Sequence, residues 1–286
     1  MTLRLRKPFA YILLSATIAT SLACTQRLKD YTQLTMQATA LSGGAEITPE
    51  SLEVAEATLE QRLAGLGAEL AEIDIEDPDK IVVRVPQAVN VQAAQSVLTN
   101  TGQLYLRNQK ADTEADLASN IADLQRLLVE QNTLLQQGKE REAEALQTQV
   151  DEKRSAIANL FEPSNLTGDM LHDARARPSD SAPGTWDVNI QFNEEGTQLF
   201  ADQTKQMAGT GRAVGLFLDD VLLSTPTVAV DYAQTGIQKG TAVISGNFTQ
   251  AAAKELEIQL KSGALPVELE TLEVISSDEI AANEDY

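Results

Sequence analysis

A single histidine, a single cysteine and forty-two carboxylates limit the chemistry open to this chain. With His172 alone, neither a histidine-based nucleophile triad nor a multi-histidine metal site can be assembled. Residues 167–176 read as a helix, and His172 as a solvent-facing residue on it. Ala208-Gly209-Thr210-Gly211-Arg212 begins like a phosphate loop. It lacks the Gly-Lys-Ser/Thr ending that would cradle a nucleotide, which leaves a turn between helix and strand. The G-x-S-x-G signature of a serine nucleophile is missing. Asp219-Asp220 reads as a hairpin turn, because short acidic side chains tolerate the required backbone. No catalytic residue, cofactor site or metal ligand is therefore expected, and the chain is not expected to be an enzyme.

Cys24 is the one residue whose position suggests a modification. Arg4, Arg6 and Lys7 precede an apolar run over 8–24, shorter than the roughly 20 residues a spanning helix needs and of signal-peptide character. Cys24 follows Ser-Leu-Ala at the end of that run. This resembles a bacterial lipobox with its leucine one place late, and points to lipidation of Cys24. Simple cleavage after Ala23 and an uncleaved anchor remain as alternatives. In each case the chain is exported, and lipidation or an uncleaved anchor ties it to the membrane through its N-terminus. A lone cysteine excludes an intramolecular disulfide.

A formal charge of -20 argues against nucleic acid as a partner, since phosphate binding needs a basic footprint. It also argues against broad adsorption to anionic lipid. Hydrophobic residues at 43% allow folded cores, and aromatics at 4% make those cores aliphatic.

The periodicities place the elements. A Thr-rich strand over 31–41 ends at Ser42-Gly43-Gly44. Thr48 then caps a helix opened by Pro49, with Leu52, Ala55, Leu59 and Leu63 on one face. Alternation over 69–76 and 80–86 about Asp77-Pro78-Asp79 predicts a hairpin. A short helix over 90–98 and a strand over 102–108 complete β-α-β-β-α-β, a ferredoxin-like order. Residues 112–161 hold no proline and only Gly138. Leu117, Ile121, Leu124 and Leu128, then Ala143, Leu146, Val150 and Ile157, predict two antiparallel amphipathic helices folded at Gly138. The later chain predicts a strand over 186–192, a helix from Asn193 to Met207, a hairpin about Asp219-Asp220, a strand over 241–245, a capped helix over 249–260 and a strand over 267–275. The residues from Ser276 read as frayed.

Several blocks of this chain, in order, resemble SecD, a protein-translocase subunit. LEQRLAGLG (59–67) is similar to I-x-x-R-(I/V)-N-x-L-G, and DKIVVRVPQAVN (79–90) to D-x-I-(L/V)-V-Q-L-P-G-V. SVLTNTGQLYLR (96–107), LTGDMLHDA (166–174), FNEEGTQLFADQT (192–204) and GLFLDDVLLSTPTV (215–228) follow its pattern. ISGNFTQAAAKELEIQLKSGALPVELE (244–270) carries its Gly-Ala-Leu-Pro-Val passage. Ala64 departs from the family Asn and Gln87 from the family Gly, and the family entry motif survives at most as Ser42-Gly43-Gly44. The helical insertion looks most like that of cyanobacterial members.

The resemblance implies an α+β fold: a ferredoxin-like base with an inserted α/β head subdomain and a helical-hairpin, coiled-coil insertion. The implied division is a signal peptide (1–23), a linker or anchor (24–30), the N-terminal segment of the base (31–108), the hairpin (109–162), the head (163–246), the C-terminal segment of the base (247–275) and a flexible tail (276–286). It implies Sec translocase subunits and unfolded preprotein as partners, on the periplasmic or thylakoid-lumenal side of the membrane. Because the sequence stops where SecD enters its next membrane helix, a truncated relative that binds without proton-driven activity is expected. The alternative is an envelope interaction protein that uses the hairpin to bind one folded partner.

Overall fold

A computed structural model describes residue 28 and residues 30–41, 46–76 and 78–284, the last four by backbone alone. Cys24, the Ser42-Gly43-Gly44 strand end and Asp77 lie outside the described residues. The architecture is α+β, as expected, with strands in three sheets. Among the described residues no helix is long and apolar enough to cross a membrane.

The base sheet has the antiparallel order β10-β1-β3-β2, from Val267–Ser276, Tyr31–Ala40, Lys80–Pro86 and Glu72–Glu76. Strand alternation sends Leu34, Met36, Ala38, Ile81, Val83, Val85, Val267 and Leu269 to one face. Helices α1 (Pro49–Gly65) and α2 (Val91–Thr99) cover it, burying Leu52, Ala55, Leu59, Leu63, Val97 and Leu98. Thr48 caps α1 by accepting from the Ser51 N–H at 3.1 Å, and Pro49 occupies the first turn, where no amide hydrogen is missed.

The strand predicted over 102–108 exists as β4 (Leu104–Asn108), but it does not join this sheet. It pairs with β7 (Val214–Leu218), and β10 takes the place beside β1. Both faces of β4 are covered: Leu104 and Leu106 enter a second core, while Tyr105 packs in a third. A ferredoxin-like edge strand needs one apolar face only, and Val267 and Leu269 of β10 supply it.

The predicted helical hairpin is α3 (Glu114–Gln136), followed by α4 (Glu140–Ala145) and α5 (Gln147–Ala158), with a break at Leu146. The chain reverses at Gly138 with φ +71°, a left-handed conformation that glycine adopts without strain. Lys153 Nζ bridges the helices to Asp123 Oδ2 at 2.8 Å and Asn120 Oδ1 at 3.1 Å. At the root, Leu117, Ile157 and Phe161 bury against Phe217 and Ala213 of the second sheet, whose order is β4-β7-β8 with β8 at Val221–Ser224.

The third sheet has the order β5-β6-β9, from Leu171–Pro178, Trp186–Phe192 and Thr241–Phe248. The helix expected over 167–176 is instead a short turn, Gly168–Met170, running into β5. Asp173-Ala174-Arg175 alternates with a period of two, Ala174 inward, and β6 offers an edge to pair with. His172 is exposed, on a strand rather than a helix.

Helix α7 (Gln250–Ser262), capped by Thr249, falls in the segment 247–275 that the resemblance assigns to the base. Its buried Ala253, Leu256 and Leu260 face the second core instead, together with Val188 and Ile190 of β6, Ile244 of β9 and Phe200 of α6 (Glu194–Met207). Its other side lies along α1 and α2. An amphipathic helix must bury its apolar stripe against a sheet, and the third sheet supplies it. The tail is not frayed at Ser276 either. Residues Ser277–Glu284 form α8, started by a reciprocal cap: the Ser276 N–H donates to Glu279 Oε2 at 2.9 Å, and the Glu279 N–H donates to Ser276 Oγ at 3.3 Å.

Candidate functional site

An open cleft of about 780 Å³ lies at the hairpin root, between α5, β4 and the β7–β8 turn. Strand β4 presents Tyr105 and Arg107 to it. The Arg107 guanidinium sits 4.9 Å from the Tyr105 ring centre and 4.8 Å from that of Phe217. Its Nη2 pairs with Asp220 Oδ1 at 2.7 Å. Such a stacked, paired cation is held rigidly and adds a cation–π attraction. Phe161 makes a neighbouring wall, edge-on to Phe217 at 4.9 Å. Lys110 Nζ donates to the Asn159 carbonyl at 2.7 Å, and Arg154 Nη1 to Asp151 Oδ1 at 3.3 Å. The Arg154 Nε is buried with no hydrogen-bond partner among the described residues.

Aromatic walls and fixed cations can bind the side chains and backbone of an extended chain. Among the described residues no group of three His, Cys, Asp or Glu is placed to hold a metal. Ala208–Arg212 is a turn, as expected, and Arg212 Nη1 donates to the Gln109 carbonyl at 3.1 Å.

Asp219 and Asp220 form the predicted hairpin turn, with φ of +49° and +62°. Their carboxylates face opposite duties, which the sequence did not reveal. Asp220 holds Arg107, whereas Asp219 grips the segment that leaves the base. Its Oδ1 accepts the Gln103 N–H at 2.8 Å and the Thr101 hydroxyl, and its Oδ2 accepts the Gly102 N–H at 3.0 Å. The Asp219 N–H returns a bond to the Gln103 carbonyl at 3.0 Å.

The same segment is gripped from the base by Arg62, on the last turn of α1 and wholly buried. All five of its guanidinium hydrogens are used. Nη1 donates to the carbonyls of Val97 and Asn100, Nη2 to those of Thr101 and Gly263 at 3.0 Å each, and Nε to Ser262 Oγ at 3.1 Å. The outgoing and returning connections also touch directly, the Leu265 N–H donating to the Thr101 carbonyl at 2.7 Å. Burial lowers the Arg62 pKa to about 10 against the opposing pull of Asp219, so it remains a cation at neutral pH. Gly102, at φ +78°, is required here: a Cβ would lie 2.7 Å from Arg62 Nη2.

Comparison with known proteins finds similarity to SecD and SecDF proteins. The family model for the SecDF P1 head subdomain matches residues 143–267, a stretch that includes α7. The SecD protein translocase subunit of Synechocystis is 37% identical over 250 residues, covering 86% of this chain and 53% of its own. That of Prochlorococcus marinus is 30% identical over 275 residues, covering 86% and 56%. The chain thus spans about half the length of these curated relatives. A solved chain of SecDF, described as a membrane component that enhances protein export, superposes with a TM-score of 0.61 at 26% identity. The match covers 85% of this chain and 99% of that one. A super-membrane-facing form of SecDF gives a TM-score of 0.63 at 25% identity, over 89% of this chain and 32% of its own.

Proposed function

We propose that this chain, similar to SecD over its P1 region, serves protein export as an accessory binding module. In this role it captures extended preprotein, or docks on the translocase, at the outer face of the membrane, without proton-driven work of its own. The observation that carries the proposal is the cleft, where Arg107 is stacked and paired against an aromatic wall. A volume near 780 Å³ suits a few residues of extended chain. Lipidation of Cys24 would hold the module at the membrane; one acyl chain binds reversibly, and two or more hold firmly.

A second reading rests on the arm. Leu128, Val129 and Leu135 on the distal half of α3 are 37%, 68% and 52% exposed, with Leu128 and Leu135 on one face, apolar side chains suited to one folded partner in the envelope.

Photo-crosslinking in native membranes separates the two, with a benzophenone residue at Ser155 in the cleft or at Val129 on the arm. Preprotein capture predicts a ladder of exported clients and translocase subunits from Ser155. The second reading predicts one discrete adduct from Val129 and none from Ser155, and silence at both positions refutes both. Mass spectrometry of the same material checks the anchor, since an unmodified Thr25 start or an intact Met1 removes Cys24 lipidation.

A further inference from the structure

Helix α3 carries one apolar row too many for a two-helix hairpin. Leu117 and Leu127 are buried, and Leu124, Gln131 and Leu134 are half-buried in the same seam. Gln131 Nε2 reaches across it to the Ala143 carbonyl at 3.2 Å and Gln147 Oε1 at 3.0 Å. Beside this seam Ile121, Leu128 and Leu135 form a second row at steps of seven, half-buried at the root and exposed toward the tip. Two helices bury two positions per heptad, and a further apolar row asks for a further helix. We infer that this helix is α3 of a second copy, laid antiparallel across Gln125, so that the arm is a homodimer contact.

Two observations select a second copy as the partner. The first is charge. Next to the second row lie Ala118, Ala122, Gln125, Val129, Asn132 and Gln136, all exposed and all uncharged. Asp116, Asp123, Arg126 and Glu130 lie off this face, with Asp123 turned to Lys153 of α5 at 2.8 Å. In a chain of formal charge -20, most surfaces of two copies would set carboxylate against carboxylate, which is costly. This face has none to set, and offers none to a cationic partner either. The second observation is shape. The root half of the face carries Ala115, Ala118 and Ala122, and the distal half carries the larger Leu128, Val129 and Leu135. An antiparallel two-fold through Gln125 lays the small half of each copy on the large half of the other. It also brings the two Gln125 amides together on the axis, where each can donate to and accept from its mate. A parallel pairing would set large against large.

From Ala115 to Gln136 the helix spans roughly 30 Å. Antiparallel arms therefore carry the two heads at opposite ends of a short rod. Helix α3 lends no residue to the cleft at the hairpin root, so both clefts stay open in the pair. The inference deepens the second reading of function, on which it rests for the surface, by naming the occupant. Capture of preprotein at the clefts is compatible with it.

The test is disulfide crosslinking in native membranes, using the full chain with Cys24→Ser and either Ala118→Cys or Asn132→Cys, both exposed sites. On oxidation a mixture of the two chains should give an adduct of twice the chain's mass, and Ala118→Cys alone should give none. Val129→Glu places a carboxylate in the shared face and leaves the hairpin seam untouched, so it should lower the yield about tenfold or more. Thr148→Glu, on the outer side of α5, adds the same charge elsewhere on the arm and should leave the yield within about twofold. Added salt should raise the yield, because it screens two acidic bodies while the face holds no ion pair to weaken. Absence of the double-mass adduct from the mixture overturns the inference, as does an undiminished yield in Val129→Glu. An adduct from Ala118→Cys alone as strong as the mixture's overturns the antiparallel pairing. If the double-mass adduct is absent and a benzophenone at Val129 captures one other envelope protein, the second copy is refuted and the second reading stands. If that probe captures nothing either, both fall.

Discussion

Arg62 and Glu257 fasten the molecule at two points, and neither announces itself in the sequence. An arginine on the last turn of a helix ordinarily complements the helix dipole from the surface. The spacing of α1 gives no sign that this one turns inward, since Leu59 and Leu63 already complete the apolar face. Its partners are main-chain carbonyls, which no side-chain pattern encodes. The acidic pair Asp219-Asp220 was legible as a turn, because backbone preference is local, while the grip on Thr101–Gln103 depends on residues more than a hundred positions away. Glu257 is a comparable case. It accepts the Ala176 N–H at the edge of β5 at 2.8 Å and holds Lys254 and Lys261 at 2.9 Å each. Burial works against its ionisation, yet the Lys254 bond, the Ala176 N–H and Lys261 bring its pKa down to about 2 from 4.5. The folded value lies below the unfolded one, so the carboxylate's contribution is complete above about pH 4.5 and is lost as pH falls toward 2. With its partial exposure, that contribution is about 1 kcal/mol. Glu257→Gln should lower the urea midpoint at pH 7 and bring it level with the unaltered chain near pH 2. Parallel midpoints across that range would show that the carboxylate does not fasten β5.

At the scale of elements, periodicity was a reliable guide to type and a poor one to partnership. The hairpin over 112–161 was readable because heptad-like leucines and a solitary Gly138 leave little else for the segment to form. Its role as a cover was not readable, because the apolar residues at its root are few and far apart in sequence. Leu117, Ile157 and Phe161 close the outer face of the β4-β7-β8 sheet over Phe217 and Ala213. Deleting the whole insertion should therefore expose that face and destabilise the head, although the sequence reads as a separable arm. Losing the cover over a buried Phe217 and its neighbours should cost about 3–5 kcal/mol. Removing only the distal portion, 129–146, and closing the ends with a short Gly/Ser link should change stability by less than about 1 kcal/mol. Chemical denaturation of the two deletions checks this. Equal losses would mean that the tip, and not the root, does the packing.

At the scale of the whole chain, the base and head are not cut where a linear division would put them. The Ala/Leu periodicity of α7 demanded a sheet but could not say which, and the adjoining β10 suggested the base. In the structure α7 buries Ala253, Leu256 and Leu260 in the head core, whereas β10 immediately beyond it gives Val267 and Leu269 to the base core. The C-terminal helix and strand thus serve two cores in succession, with Gly263, at φ +81°, at the changeover. Two truncations separate these contributions. Ending the chain at Gly263 removes β10 and leaves β1 with β3 as its only partner, while the head keeps its helix. The amides of Leu34 and Val83 should then exchange freely, and those of Val188 and Ile190 should stay protected. Ending it at Gly246 removes α7 as well, stripping three buried side chains from the head core, and both sets of amides should lose protection. If the shorter chain kept Val188 and Ile190 protected, α7 would be dispensable to the head, and its apolar stripe would have to be satisfied against α1 and α2. If truncation at Gly263 left Leu34 protected, the base would be a three-stranded unit and the pairing of β10 with β1 would be decorative. The expected contrast between the two truncations arises because a single short segment crosses from one core to the other.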